Sequence, residues 1–195
     1  MAYMFQNCYS LEYLQIPKLY TDNWRYYSNY LFDNCYSLKY LDLTSFTMNT
    51  ITSLSYMFRN CYSLTSIDFP NFKMSNIRNM ISTFENCISL SSLDLSHFNT
   101  SLVTDMSNLF NNCSSLEYLN IKFDTTNVQR MQNMFSNCPN LTSLDITTFN
   151  TSKCTNFNGM FDNDEGLDLY YNKTMCDNLE IQIPEYVNKH DINEF

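Results

Sequence analysis

The chain is short of several things that most enzymes need. Among its 195 residues there are two glycines, two histidines and one tryptophan. Two glycines cannot build a glycine-rich phosphate loop, so nucleotide-binding motifs of that kind are excluded. Positive charge is scarce too: 11 Lys and Arg stand against 20 Asp and Glu, a formal net charge of −9. That balance denies a nucleic-acid binder its basic footprint and an anionic membrane its anchor. No apolar run approaches the roughly 20 residues of a bilayer span. The opening Met1-Ala2-Tyr3-Met4-Phe5-Gln6-Asn7 has neither the basic stretch nor the apolar core of a secretory signal. His97 and His190 sit in different contexts without a paired nucleophile, and His97 reads as a surface turn residue. The expectation is therefore a chain with no catalytic residues and no cofactor. At 44% apolar and 16% aromatic, it is nonetheless too hydrophobic to be disordered.

What is present is periodicity. Phe recurs at 5, 32, 58, 84, 110, 135 and 161, at intervals of 25 to 27 residues. Three residues after the first six stands a cysteine: Cys8, Cys35, Cys61, Cys87, Cys113 and Cys138; the seventh has Asp164. An asparagine precedes each of these, from Asn7 to Asn163. Leucine follows three residues later, as in Leu38, Leu64, Leu90 and Leu116, and opens a Leu-x-x-Leu-x-Leu stretch such as Leu38-Lys39-Tyr40-Leu41-Asp42-Leu43. A strand with two or three inward residues buries nothing alone, but stacked in parallel on its neighbours it makes a continuous core. Each period is thus one turn of a solenoid, closed by an aromatic at Phe46, Phe72, Phe98, Phe123 or Phe149. One residue is missing near Lys122-Phe123, which gives the 25-residue interval. Apolar steps of three, four and three, as in Val103, Met106, Phe110 and Cys113, predict a helical face in the second half of each rung. The asparagine before the cysteine suits the left-handed residue that ends such a turn, a position usually given to glycine.

The columns resemble a leucine-rich repeat of the BspA-like surface-protein type, also called the mycoplasma lipoprotein-associated repeat. The segment Phe98-Asn99-Thr100-Ser101-Leu102-Val103-Thr104-Asp105-Met106-Ser107-Asn108-Leu109-Phe110-Asn111-Asn112-Cys113-Ser114-Ser115-Leu116 carries the match, and Met134-Phe135-Ser136-Asn137-Cys138 and Phe149-Asn150-Thr151-Ser152 return to it. The resemblance implies an α/β repeat fold: a leucine-rich-repeat solenoid with parallel strands on one face and short helices or helical turns on the other. It implies a surface-displayed or secreted, adhesion-like protein-binding module. An intracellular scaffold using the same face is the alternative, favoured by the absence of an export signal and by a cysteine column that reads as reduced.

Residues 1–165 are expected to form about seven rungs, the first incomplete and the second irregular, and residues 166–195 a degenerate rung or cap. In that cap the strand columns blur at Leu167-Asp168-Leu169-Tyr170, and Glu180-Ile181-Gln182-Ile183-Pro184 reads as a last edge strand. Nothing polar covers the first rung, so an oligomer stacked through it is a further expectation.

Two columns could carry recognition. The first is the structural ladder of Cys8, Cys35, Cys61, Cys87, Cys113 and Cys138 beside Phe32, Phe58, Phe84, Phe110 and Phe135. Paired Cys-x-x-Cys spacing is absent, so zinc is not expected. Parallel-stacked thiols point the same way, so they read as buried free thiols rather than disulfides. The second is the outward strand face, where Asp42, Asp68, Asp94 and Asp145 form an acidic stripe among Tyr13, Tyr40 and Tyr118. Local hydrogen bonding explains such aspartates simply; a basic protein partner would also relieve their repulsion. Trp24, with Tyr26, Tyr27 and Tyr30, is a third candidate contact, read mainly as packing in an irregular rung.

Overall fold

A computed structural model describes residues 3–15, 28–45, 50–69, 75–180 and 182–193. The strands are short: β1 (Tyr13–Leu14), β2 (Tyr40–Asp42), β3 (Ser66–Asp68), β4 (Ser92–Asp94), β5 (Tyr118–Asn120), β6 (Ser143–Asp145), β7 (Asp168–Tyr171) and β8 (Asn188–Asp191). Every paired strand is parallel, and register follows the repeat: Leu41 pairs with Ile67, Leu93 with Leu119 and Leu144 with Leu169. The chain is a solenoid of stacked rungs. Among the described residues its strand ladder runs in three blocks, β1-β2-β3, β4-β5 and β6-β7-β8.

The core is the set of columns read from the sequence. Phe32, Phe58, Phe84, Phe110 and Phe135 are completely buried. From Phe5 to Phe161 each ring stacks on the next with centroids 5.3 to 5.7 Å apart and planes within 13° of parallel. Such a file buries one large aromatic per rung and adds ring–ring attraction to the area term.

Among the described residues the second half of the rung forms turns in place of the expected short helices. Among the described residues the one α-helix is α1 (Asp177–Glu180), four residues long. Backbone amides instead alternate between two partners. Around Phe110, the N–H groups of Met106, Asn108, Phe110 and Asn112 donate to carbonyls of Arg130, Gln132, Met134 and Ser136 on the next rung. The intervening N–H groups of Leu109, Asn111 and Cys113 close four-residue turns back to the carbonyls of Met106, Asn108 and Phe110. This alternation needs a left-handed residue at two places per rung, four apart. Tyr30 and Asn34, Tyr56 and Asn60, Ser82 and Asn86, Asn108 and Asn112, and Asn133 and Asn137 all have φ between 52° and 63°. A left-handed residue every fourth position breaks an α-helix, so the three-four-three apolar steps arise from stacked turns, not from a helical face.

Asparagine does more than accept positive φ. The Nδ2 of Asn34, Asn60, Asn86 and Asn112 donates to the Oδ1 of Asn7, Asn34, Asn60 and Asn86 in turn, at 2.6 to 2.8 Å. At the short rung the chain slips by one, and Asn137 reaches Asn111 at 3.4 Å before Asn163 rejoins Asn137 at 2.8 Å. This is an amide ladder of the sort that stabilises stacked strands.

The last strand is displaced from its expected place. Glu180 closes α1, and the terminal edge is β8, which pairs with β7 from Asp168↔Asn188 to Tyr171↔Asp191. Pro184 has no N–H for a ladder, so the strand begins beyond it. The expected blur at Leu167-Asp168-Leu169-Tyr170 is also resolved, because Leu169 is fully buried in register with Leu144.

These roles separate under substitution. Phe84→Ala is expected to lose about 3–5 kcal/mol in urea unfolding followed by circular dichroism. Asn86→Ala loses both the left-handed preference and the ladder, about 2–4 kcal/mol, whereas Asn86→Gly keeps the backbone and loses about 1–2 kcal/mol. Equal losses for the two Asn86 variants would show that φ contributes nothing.

Candidate functional site

Two faces of the solenoid carry chemistry: the thiol file inside and the strand face outside. Seven of the eight cysteines are buried, Cys8 is half-buried, and all eight are free. From Cys35 onward each thiol in the file has a partner. Sγ of Cys35, Cys61, Cys87, Cys113 and Cys138 donates to the carbonyl of Phe5, Phe32, Phe58, Phe84 and Phe110 on the rung before, at 3.1 to 3.2 Å. Cys176, which lies outside the sequence register, makes the same kind of bond to Phe149 at 3.4 Å. Burial pushes the thiols of Cys35 and Cys113 up to about 12, and those of Cys154 and Cys176 to about 11. A thiol in that range stays protonated at neutral pH and is a poor nucleophile.

Asp164 replaces the thiol in the seventh rung. It is 1% exposed, its Oδ1 accepts the Cys138 N–H at 2.7 Å, and its Oδ2 has no partner. Burial, with Asp162 nearby, raises its carboxyl from 3.8 to about 7.

On the strand face the aspartates stand in line. Asp42 pairs with Asp68 across β2 and β3, Asp94 with Asn120 across β4 and β5, and Asp145 with Tyr170 across β6 and β7. Asp42, Asp68 and Asp94 therefore occupy successive rungs, while Asp145 is set apart by Asn120. Most of them cap the turn that follows. Oδ1 of Asp42 accepts the Thr44 N–H at 2.8 Å and hydroxyl at 2.6 Å; Oδ1 of Asp145 does the same with Thr147 at 2.9 and 2.7 Å. Oδ1 of Asp94 accepts the Ser96 N–H at 2.8 Å, and its Oδ2 accepts Asn120 Nδ2 at 3.0 Å. Hydrogen bonds from Thr44 and Ser96 hold the Asp42 and Asp94 carboxyls below the usual carboxylate range, so both stay charged. Asp68 accepts the Tyr40 hydroxyl, and that bond raises Tyr40 to about 12.

Tyr13, Tyr40 and Tyr118 are 64%, 38% and 59% exposed. Tyr13 and Tyr40 are register partners beside the Lys39–Glu12 ion pair, with Lys39 Nζ 5.6 Å from the centre of the Tyr13 ring; Tyr118 lies three strands further along. Trp24, Tyr26 and Tyr27 lie outside the described residues. Tyr30, the fourth of that cluster, sits in a stack between Tyr3 and Tyr56 at 5.2 and 4.6 Å.

Sequence reasoning missed two surfaces. A second tyrosine column, Tyr9, Tyr36 and Tyr62, stacks at 4.9 and 5.0 Å and is 37% or more exposed; its signal was a tyrosine directly after three successive column cysteines. The other is a pair of openings on the strand face. One of about 230 Å³ is lined by Tyr13, Leu14, Gln15, Tyr40 and Asp42. The larger, about 420 Å³, is lined by Thr44, Ile67, Asp68, Phe69, Asp94 and His97. His97 is thus a half-buried lining residue as well as a turn residue. No three His, Cys, Asp or Glu side chains among the described residues are grouped to hold a metal ion. Among the same residues no helix is long and apolar enough to cross a membrane.

Residues 1–105 match the BspA type leucine rich repeat region, in six copies. Residues 79–182 match a family described as Mycoplasma protein of unknown function, DUF285. No curated protein matches the chain. A solved structure described as the Toll–Spatzle complex, a molecular hub in Drosophila development and innate immunity, contains a similar chain. It is 17% identical with a TM-score of 0.43, over 86% of this chain and 26% of that one. This chain therefore spans about a quarter of that neighbour's length.

Two outcomes follow from the buried groups. A thiol reagent is expected to modify Cys8 first and the other seven cysteines only as fast as the rungs open, with all eight reacting at once in denaturant. Rung-to-rung disulfides in the native mass spectrum would overturn this. For Asp164 the folded carboxyl keeps its proton between about pH 4 and about pH 7, where the unfolded chain has released it. Its contribution is thus full below that window, falls as pH rises through it and is level above it. The unfolding free energy of Asp164→Asn should fall less than that of the wild type from about pH 4 to about pH 7, by on the order of 2–4 kcal/mol at the upper end. Parallel profiles would mean that Asp164 titrates normally.

Proposed function

The chain belongs to the BspA-type leucine-rich repeat family, and on that premise we propose that it is a non-catalytic protein–protein interaction module that binds through its strand face. One observation carries the reading: charged and aromatic side chains stand outward on successive rungs, at positions that contribute nothing to the core. Core residues such as Leu41, Leu93 and Leu119 alternate with exposed Tyr40, Ser92, Asp94 and Tyr118 along the same strands. A rigid solenoid holds such a surface in one shape, so little conformational entropy is lost on binding. The partner is a protein with basic residues, given the net charge of −9 and the ionised Asp42 and Asp94. Exposed tyrosines supply apolar contact area with few rotatable bonds.

Resemblance to the family favours a surface-displayed or secreted, adhesion-like setting for this module. A second reading, an intracellular scaffold, is supported by eight free cysteines, an inventory suited to a reducing compartment. The same surface serves both.

Replacing Asp42, Asp68 and Asp94 together by Asn keeps the Oδ1 acceptors that cap the turns and removes three charges. A pull-down from cell extract or from host-surface protein should lose the bound partner about tenfold or more, and raised salt should reproduce the loss in the wild type. A partner retained equally by the triple variant overturns the strand-face reading.

A further inference from the structure

The strand ladder is broken where the acidic stripe is densest. Among the described residues β3 pairs with β2 and β4 pairs with β5, but no ladder bond joins β3 to β4. Leu43 N–H donates to the Asp68 carbonyl at 2.8 Å and Leu95 N–H to the Asn120 carbonyl at 2.9 Å; no equivalent bond links Phe69 to Asp94. The same rungs remain bridged on the turn side, through Ser53↔Asn79 and Asn79↔Asp105. The seam therefore opens on the strand face alone.

The opening of about 420 Å³ lies at this seam. Its apolar part is Ile67 and Phe69, which are half-buried where their column mates Leu41, Leu43, Leu93 and Leu95 are buried. Asp68 and Asp94 come to it from the two separated strands. Among the described lining residues there is no Lys or Arg, and the one cation-capable group is His97, whose Nε2 is shielded and has no hydrogen-bond partner. Asp68 holds a tyrosine hydroxyl, and Asp94 holds a backbone N–H and an amide. A carboxylate has about four acceptor directions, so both keep capacity for further donors.

We propose that the seam between β3 and β4 is a socket for an arginine side chain of the protein partner, seated between Asp68 and Asp94 with its flat face on Phe69. The proposal rests on the strand-face reading above and names the group that reading requires. A guanidinium matches the lining better than an ammonium: it has five donors in a plane for two carboxylates, and it packs on an aromatic ring with a small hydration cost.

The test is ¹⁵N NMR of the full chain titrated with the peptide acetyl-Gly-Ser-Arg-Ser-Gly-amide, and with its lysine and citrulline counterparts. The arginine peptide should give saturable shifts at residues 44, 67–69 and 94–97. The lysine peptide should bind about threefold more weakly and the citrulline peptide at least about tenfold. The Asp68→Asn/Asp94→Asn variant should lose about tenfold in affinity with its remaining spectrum unchanged. Asp42→Asn/Asp145→Asn should bind within about twofold of wild type. Shifts centred on Asp42 or Asp145 would overturn the socket and leave the strand-face reading standing. Equal binding of the citrulline peptide, or no shifts with any peptide, would overturn the socket alone, because the extract pull-down with the triple variant decides the broader reading separately.

Discussion

The rest of the structure depends on how each rung shares its backbone amides. Alternate N–H groups in the second half of the rung go to the next rung, and those between them close turns within it. Neither set completes the rung alone, so stability is a property of neighbours rather than of a single repeat. The arrangement requires a left-handed residue at two sites per turn of the solenoid. Glycine would serve the backbone, but the chain uses glycine at only one of the last pair, Gly159, and asparagine or another side chain almost everywhere else. Asparagine adds an amide that bonds to the asparagine beneath it. A chain with two glycines in 195 residues can therefore turn this often, because the residue that bends the backbone also ties one rung to the next.

Columns that point into the core were legible in the sequence, and columns defined by backbone hydrogen bonding were not. Phe58, Cys61 and Leu64 declared themselves by fixed spacing, and all are fully buried. The left-handed asparagine before each cysteine followed from the same spacing, and Asn34, Asn60, Asn86, Asn112 and Asn137 adopt it. Val103, Met106, Phe110 and Cys113 are buried as expected, yet by stacked turns. Apolar periodicity reports which side chains face inward. It does not report whether their amides bond four residues back or one rung away. The second left-handed position was hidden for another reason: it is filled by Tyr30, Tyr56, Ser82, Asn108, Asn133 and Gly159, with no one side-chain type common to all of them. The Asp column was legible as a stripe, but the break between β3 and β4 has no motif.

The two explanations of the acidic stripe are compatible at the level of single oxygens. Capping a turn uses Oδ1 of Asp42, Asp94 and Asp145 and lowers the energy of the ionised form where Thr44 or Ser96 donates. The turn thereby fixes both the position and the charge of the carboxylate. A carboxylate held in place by its own backbone loses less on meeting a cation than one that must first be ordered. A local structural role is thus a reason for these residues to suit recognition, not an argument against it.

One of the two breaks in the ladder follows from the repeat. The β5–β6 seam coincides with the one residue missing near Lys122-Phe123, which shifts the strand side of that rung against its neighbour. No residue is missing between β3 and β4, where the Phe58–Phe84 interval is the usual 26, and Asp42 and Asp68 stay paired across β2 and β3, so adjacent carboxylates do not by themselves part the ladder. Across β4 and β5, which stay joined, Asn120 donates to Asp94. Meanwhile the phenylalanine file, the thiol bonds and the Ser53↔Asn79 and Asp105↔Arg130 bridges cross the two seams. Cohesion along the axis therefore resides in the interior and the turn side. The strand face can part without unstacking the rungs, and that tolerance lets charge accumulate where a partner can meet it.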